Sequence, residues 1–85
     1  MKDSTEATRL LRSFILENYL FTQDESALAN SNSFLESKIL DSMGILELIQ
    51  YLDEEFGVKV HESEMIPSNL DSIDNLLAFL AKKTQ

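Results

Sequence analysis

The residues best suited to chemistry in this chain are Asp41 and Ser42, which begin an amphipathic segment after a long polar stretch. A helix N-terminus gathers unpaired amide hydrogens and partial positive charge, so a phosphate ester on the Ser42 hydroxyl would be stabilised there. Serine and aspartate are also the residues preferred as helix N-caps. Taken alone, the pair therefore fits either a modification site or a structural cap.

The other reactive residues do not form a recognisable catalytic set. The chain has a single histidine, His61, no cysteine, and glycine only at positions 44 and 57. No nucleophile with a base and an orienting group can be identified, and a phosphate-binding loop needs more glycine. One imidazole near Glu62 and Glu64 does not make a zinc site. We therefore expect a non-catalytic protein without a metal ion, with His61 on its surface.

Length and composition limit the class of protein. The 85 residues suffice for one domain, spanning 1–85, and the 15 acidic against 7 basic residues give a net charge of −8 with 44% hydrophobic residues. Such a folded acidic domain would repel nucleic acid and attract proteins with basic docking patches. No apolar run approaches the roughly 20 residues needed to cross a bilayer, and the N-terminus lacks a secretory signal. We expect a cytoplasmic monomer without membrane insertion.

Hydrophobic periodicity predicts an all-α fold, a small antiparallel bundle of three main helices plus one short helix. The first helix should run from about residue 5 to about 20, with Ser4 or Thr5 as its N-cap. The three later helices are predicted at about 42–56 ended by Gly57, at 62–65 ended by Pro67, and from after Asp71 or Ser72 to about Lys83. A strand at 58–60 is conceivable but would have no obvious partner.

A long connection separates the first two helices. Residues 22–33 are polar, and only Ala27, Leu28 and Ala29 offer an apolar anchor or a single irregular turn. The pairs Phe34-Leu35 and Ile39-Leu40 should pack into the core and hold the connection in place. Long, anchored connections usually have a functional reason.

The surroundings of Ser42 resemble the modification site of acyl carrier proteins. The likeness lies in Ile39-Leu40-Asp41-Ser42-Met43-Gly44-Ile45-Leu46-Glu47-Leu48, in the pattern Leu-x-x-x-Leu-Asp-Glu-Glu-Phe over 48–56, in Gly57-Val58-Lys59-Val60, and in Asp71-Ser72-Ile73. In that family the serine accepts 4'-phosphopantetheine from coenzyme A through a separate, magnesium-dependent phosphopantetheinyl transferase. The thiol of this covalent cofactor carries acyl groups as thioesters between enzymes. The resemblance thus implies that Ser42 is the attachment site.

The resemblance also implies which surfaces meet partners and cargo. Partner enzymes would be the phosphopantetheinyl transferase and acyl-activating, condensing or acyltransferase enzymes with basic docking patches. The residues expected to bind them are Asp41, Met43, Leu46, Glu47, Asp53 and Glu54. An acyl pocket, if one exists, would open between the second and third helices and be bordered by Ile49, Leu52, Val60, Met65 and Leu76.

Gly44 departs from the pattern of fatty-acid carriers, in which the position two after the serine is commonly acidic. D-alanyl carrier proteins, and carriers that work beside dedicated acyl-activating enzymes, show Asp-Ser-Met-Gly or Asp-Ser-Phe-Gly instead. The pathway, whether fatty acid, polyketide or related acyl metabolism, stays open. Two alternatives also remain: a D-alanyl or other aminoacyl carrier, and an unmodified helical adaptor that binds a partner through its acidic second helix. Taken alone, the acids of the second helix fit a solvated face better than a partner-binding surface.

Overall fold

Four α-helices make up most of the structure. The computed structural model describes residues 3–83, which measure 32 × 25 × 20 Å and contain no strand. The helices are α1 (Ser4–Ile15), α2 (Ser42–Phe56), α3 (Pro67–Leu70) and α4 (Ile73–Lys83). Three short helical turns add to them. Residues Leu16–Leu20 form one turn of π-helix that continues α1, called the π-turn below, and 3₁₀ turns lie at Glu25–Ala27 and Glu62–Glu64. The predicted all-α class is confirmed.

The core forms where the apolar faces of the helices meet. Helix α1 packs against α4, and α3 packs against α4. Helix α2 contributes Leu48 and Leu52, which have no exposed surface. Burying one such leucine is worth about 1.5–3 kcal/mol, so these two side chains alone fix α2 firmly on the core. The fully buried side chains of the rest of the described chain include Leu11, Ile15, Leu16, Leu28, Phe34, Ile73 and Leu76.

Aromatic contacts fix α2 on the side of α1. The rings of Phe14 and Tyr51 stack with centroids 4.2 Å apart, and Tyr19 and Phe56 meet this pair edge-on at 5.8 and 6.1 Å. The Tyr51 hydroxyl donates to the carbonyl of Leu10 at 3.3 Å. Aromatic pairs in these geometries add about 0.5–1.5 kcal/mol each beyond the buried area. The helix that carries Ser42 is therefore held against α1 at Tyr51, by the ring stack with Phe14 and the hydrogen bond to Leu10.

The helix ends follow standard capping chemistry, with one shift from the prediction. Asp3, not Ser4 or Thr5, is the N-cap of α1, and its Oδ1 accepts a hydrogen bond from the Glu6 amide at 2.8 Å. The prediction was wrong because an aspartate one residue earlier satisfies the same amide. At α4 the Ser72 side chain accepts from an amide of the first turn at 3.0 Å, which confirms the predicted start.

The region after α2 contains less helix before Pro67 than predicted and more after it. Gly57 ends α2 with a φ of 66°, and its amide donates to the carbonyl of Asp53 at 3.0 Å, as predicted. The helix predicted at 62–65 is only the 3₁₀ turn Glu62–Glu64. Pro67 begins α3 instead of ending a helix, because proline at the first helical position loses no hydrogen bond.

The connection between α1 and α2 is anchored by single buried side chains. Leu28, Phe34 and Leu40 are buried and Ile39 is half-buried, as predicted. Leu35 is 43% exposed, so the expectation that it packs into the core was wrong. Phe34 takes the core position, and Leu35 lies at the surface, where its amide donates to Asp71 Oδ1.

Polar contacts complete the attachment of this connection. Asp71, next to α4, accepts hydrogen bonds through Oδ2 from the Ser33 hydroxyl and through Oδ1 from the Leu35 amide at 3.0 Å. Its carbonyl accepts from the Phe34 amide at 2.7 Å. Arg12 of α1 holds the earlier part, because its guanidinium donates to the Glu25 carboxylate at 3.0 Å and to the Glu25 carbonyl at 2.7 Å. Both ends of the connection are therefore tied to helices of the core.

Candidate functional site

Ser42 is the first residue of α2, and its side chain is exposed. Asp41, the preceding residue, is the N-cap: its Oδ1 accepts from the Gly44 amide at 2.9 Å, and its carbonyl accepts from the Ile45 amide at 2.9 Å. The Ser42 hydroxyl makes no hydrogen bond to any residue within 3–83. The capping role that either residue could have filled belongs to Asp41, which leaves the Ser42 oxygen available for reaction.

The same Asp-Ser arrangement occurs at the start of α1. Asp3 caps that helix as Asp41 caps α2, and Ser4 occupies the position that corresponds to Ser42. Helix-end geometry therefore cannot distinguish the two serines. The first turns differ in charge, because α1 carries Glu6 there while α2 carries no acidic residue. A phosphate ester would meet less repulsion at the α2 end than at the α1 end.

The exposed face of α2 further distinguishes Ser42 from Ser4. We call the six residues predicted to bind partners the α2 surface, and all six are exposed: Asp41, Met43, Leu46, Glu47, Asp53 and Glu54. Met43 and Leu46 are 69% and 57% exposed, which is high for large apolar side chains and confirms that they lie off the buried stripe. Apolar side chains surrounded by acids are typical of an interaction surface. That these residues bind a partner stays a prediction.

Besides Asp41, which accepts from the Gly44 amide, the other three acids of the α2 surface each pair with another side chain. Lys59 forms an ion pair with Asp53 at 3.4 Å, and its side chain is 80% exposed. Gln50 donates to Glu54 Oε1 at 3.0 Å. Glu47 Oε1 accepts a hydrogen bond from the Tyr19 hydroxyl. Exposed pairs such as Lys59–Asp53 and Gln50–Glu54 contribute about 0–1 kcal/mol to stability. The carboxylates of Asp53 and Glu54 could therefore exchange these partners for a basic group of another protein at little cost.

Gly44 is buried and in close contact with other elements. A Cβ atom at this position would lie 3.0 Å from Leu40 Cδ2, 3.3 Å from Leu40 Cβ and 3.4 Å from Tyr19 Cε1. Leu40 is only 3% exposed and has little room to move. The absence of a side chain at Gly44 therefore lets Leu40 and Tyr19 close over the first turn of α2. Any side chain at this position would require Leu40 to shift by a few tenths of an ångström.

Tyr19 lies within the first helix predicted from the sequence, but its polar contact with Glu47 was not predicted. Burial raises the pKa of Tyr19 to about 12, helped by the hydrogen bond to Glu47 and by the charges of Glu47 and Asp41. A half-buried tyrosine hydroxyl needs a polar partner, and the acids of α2 were the candidates. Beside it lies a groove of about 300 Å³, lined by Phe14, Asn18, Tyr19, Glu47, Gln50, Tyr51 and Glu54.

The five residues of the predicted acyl pocket have unequal exposure. Leu52 and Leu76 are completely buried in the core, and Ile49 and Val60 are half-buried beside it. Met65 is 41% exposed. The two leucines thus have no surface that a water molecule can reach, and an acyl chain between α2 and the later helices would have to displace them. The acyl pocket stays a prediction.

The segment before α3 is tied to the end of α4. Glu64 accepts from the His61 amide at 2.9 Å and from the Lys83 ammonium group at 2.9 Å. The amide hydrogen bond, followed by the bond to Lys83, holds the pKa of Glu64 below its usual range. The His61 side chain is exposed, as predicted. Two more exposed apolar side chains lie outside the α2 surface and were not singled out from the sequence: Phe21 at 82% and Ile66 at 46%.

Comparison with known families does not identify the chain. No model of a known protein family matches it. Within residues 3–83, no helix has both the length and the apolar character needed to cross a membrane. Over the same range, no three or more His, Cys, Asp or Glu side chains are grouped so that they could hold a metal ion. A functional assignment must therefore start from Ser42 and the surface around it.

Proposed function

We propose that this protein is an acyl carrier protein in which Ser42 bears a covalent 4'-phosphopantetheine group. The observation that carries the proposal is that Ser42, exposed beside the capping Asp41, begins the helix whose first turn contains no acidic residue, unlike the corresponding Ser4 of α1. Met43 and Leu46 lie exposed nearby on the same helix. The sequence resemblance around Ser42 supports the same assignment. The arrangement fits the cofactor, because the attachment oxygen is accessible and the first turn holds no acid.

The attachment chemistry asks little of the chain itself. The Ser42 oxygen forms a phosphodiester bond to the pantetheine phosphate, the pyrophosphate bond of coenzyme A breaks, and adenosine bisphosphate leaves. The serine proton passes to a base of the transferase, since Asp41 is already engaged with the Gly44 amide. The amide hydrogens of the first turn of α2 stabilise the new phosphodiester charge. Once attached, the group supplies a thiol that carries acyl chains as thioesters.

The α2 surface is the proposed meeting point with partner enzymes. Its four acids would attract the basic patches of the transferase and of acyl-activating, condensing or acyltransferase enzymes. Exposed charges of this kind raise the encounter rate more than the final affinity. Met43 and Leu46 supply the apolar contact area that a short-lived complex needs. Weak, fast docking suits a carrier that visits several enzymes in turn.

An aminoacyl carrier, such as a D-alanyl carrier, is the second candidate, and Gly44 favours it. The sequence Asp41-Ser42-Met43-Gly44 has the pattern noted for such carriers, and a Cβ atom at Gly44 would lie 3.0 Å from Leu40 Cδ2. Both candidates share the same Ser42 chemistry and differ only in cargo. The two candidates can be separated by incubating the modified protein either with acyl-activating enzymes or with amino-acid-activating enzymes. Mass spectrometry then shows which thioester forms.

The test of the carrier assignment is intact mass spectrometry after incubation with coenzyme A, Mg²⁺ and a broad-specificity phosphopantetheinyl transferase. Ser42→Ala is the essential variant, and Ser4→Ala is its matched control, because Ser4 follows a capping aspartate in the same way. We expect one phosphopantetheine group on the wild type and on S4A, and none on S42A. No mass gain on folded wild-type protein with several transferases would refute the proposal and favour the unmodified adaptor.

A further inference from the structure

Given the carrier function proposed above, we infer that Tyr19 is a positioning residue for partner docking. Its hydroxyl holds the Glu47 carboxylate in one orientation on the helix that carries Ser42. Tyr19 would not itself touch a partner in this role. It would act through Glu47, one of the four acids of the α2 surface.

The Tyr19 ring is fixed by contacts on three sides. It belongs to the π-turn that continues α1, and it meets Phe14 edge-on with centroids 5.8 Å apart. One ring edge faces Gly44 of α2, because Cε1 lies 3.4 Å from the position that a Cβ atom on Gly44 would occupy. The hydroxyl then reaches Glu47, one turn further along α2. A ring held this way can fix a carboxylate that would otherwise sample several rotamers.

The side-chain partner of Glu47 is held more firmly than the partners of Asp53 and Glu54. Glu54 is held by Gln50 and Asp53 by Lys59, and both of those partners have exposed side chains. Tyr19 is half-buried and anchored in the aromatic contacts between α1 and α2. Only Oε1 of Glu47 is engaged with a residue within 3–83, so Oε2 is available to an arginine or lysine of a partner.

The phenol can keep this role across the physiological pH range. Burial, the hydrogen bond and the charge of Glu47 raise the pKa of Tyr19 to about 12, so the hydroxyl stays protonated and remains a donor. A carboxylate that is ordered before docking does not have to be ordered during docking. Ordering one flexible side chain at an interface corresponds to about a two- to tenfold change in affinity.

The experiment measures kcat and KM of a phosphopantetheinyl transferase with the full chain as varied substrate and coenzyme A saturating. Tyr19→Phe keeps the ring and removes the hydroxyl, and we expect KM to rise about two- to tenfold with kcat unchanged. Tyr51→Phe is the matched control, because its hydroxyl donates to the carbonyl of Leu10 and not to an acid of α2. KM for Y51F should equal that of the wild type.

A double-mutant cycle with Glu47→Gln separates positioning from a general effect on the fold. In the E47Q background, Y19F should raise KM no further, because the charge that Tyr19 orients is already gone. An equal KM rise in both backgrounds would overturn the inference, and so would a wild-type KM for Y19F. Thermal unfolding of each variant checks that a change in KM does not come from partial unfolding.

A second readout does not depend on the transferase. The pKa of each tyrosine can be followed by the NMR shift of its Cζ carbon, over the range in which circular dichroism shows folded protein. E47Q should lower the pKa of Tyr19 from about 12 and leave that of Tyr51 unchanged. An unchanged pKa of Tyr19 would overturn the contact itself. If the contact holds but no transferase modifies the wild type, the carrier function fails, and the docking role falls with it.

Discussion

Replacing Asp71 by alanine should release the connection between α1 and α2 from α4. The carboxylate of Asp71 accepts two hydrogen bonds from this connection, one from the Ser33 hydroxyl and one from the Leu35 amide at 3.0 Å. The Ser33 hydroxyl in turn accepts from the Glu36 amide at 3.1 Å. Loss of the carboxylate therefore loosens a linked set of bonds around the fully buried Phe34.

The size of the effect follows from the kind of bond and its exposure. A hydrogen bond to a charged acceptor contributes about 1.5–3 kcal/mol to stability. Leu35 is 43% exposed and Ser33 is half-buried, so water can replace part of what is lost. We expect Asp71→Ala to lower the free energy of unfolding by about 2–3 kcal/mol. For a domain of this size, that corresponds to a Tm lowered by roughly 10–20 °C.

Urea and thermal unfolding, followed by circular dichroism, measure this loss. An unchanged m-value would show that the midpoint shift reflects stability alone. Asp74→Ala is the matched control, since Asp74 is an exposed aspartate in the first turn of α4 and should contribute only about 0.3–1 kcal/mol through the helix dipole. Equal losses for D71A and D74A would refute the reasoning that the Asp71 carboxylate anchors the connection.

Three further changes test other contacts. Gly44→Ala gains up to about 1 kcal/mol of helix propensity but forces a Cβ atom against buried Leu40, which typically costs about 1–3 kcal/mol. We therefore expect a net loss of stability in urea unfolding. A net gain would contradict this account of the packing. Asp41→Ala removes the N-cap of α2 and should lower the free energy of unfolding by about 1 kcal/mol in the same assay. An unchanged free energy of unfolding would refute the capping role of Asp41. The lowered pKa of Glu64 adds stability that is present at neutral pH and is lost in acid. The difference in Tm between wild type and Glu64→Gln should therefore shrink as pH falls from about 5 to about 3, and a constant difference would contradict the contact with Lys83.

The main helices could be predicted because each has a clear apolar stripe and recognisable end residues. The bounds of α2 and the left-handed Gly57 agree with the prediction, as does the start of α4 after Ser72. The 3₁₀ turn at Glu62–Glu64 was predicted as a longer helix, since four consecutive residues carry no information about which hydrogen-bond pattern they adopt. The position of Asp3 as a cap was missed by one residue, because Asp3, Ser4 and Thr5 are all residue types that can cap a helix.

The site could be predicted only in part, because sequence periodicity gives faces of helices but not contacts between them. The exposure of Ser42, Met43 and Leu46 follows from the α2 stripe and is confirmed. The contact between Tyr19 and Glu47 joins residues 28 positions apart and depends on the π-turn after α1. No pattern within either helix contains that information, and the same holds for the anchoring of Ser33 by Asp71.

Gly44 stands where fatty-acid carriers commonly have an acid, and its packing affects the α2 surface. A Cβ atom at this position would lie 3.0 Å from Leu40 Cδ2, so Leu40 would have to shift, and it would touch Tyr19 Cε1 at 3.4 Å. With glycine here, the Tyr19 ring lies beside the first turn of α2 and its hydroxyl reaches Glu47. The orientation of Glu47 on the α2 surface thus depends on the end of α1 as much as on α2 itself.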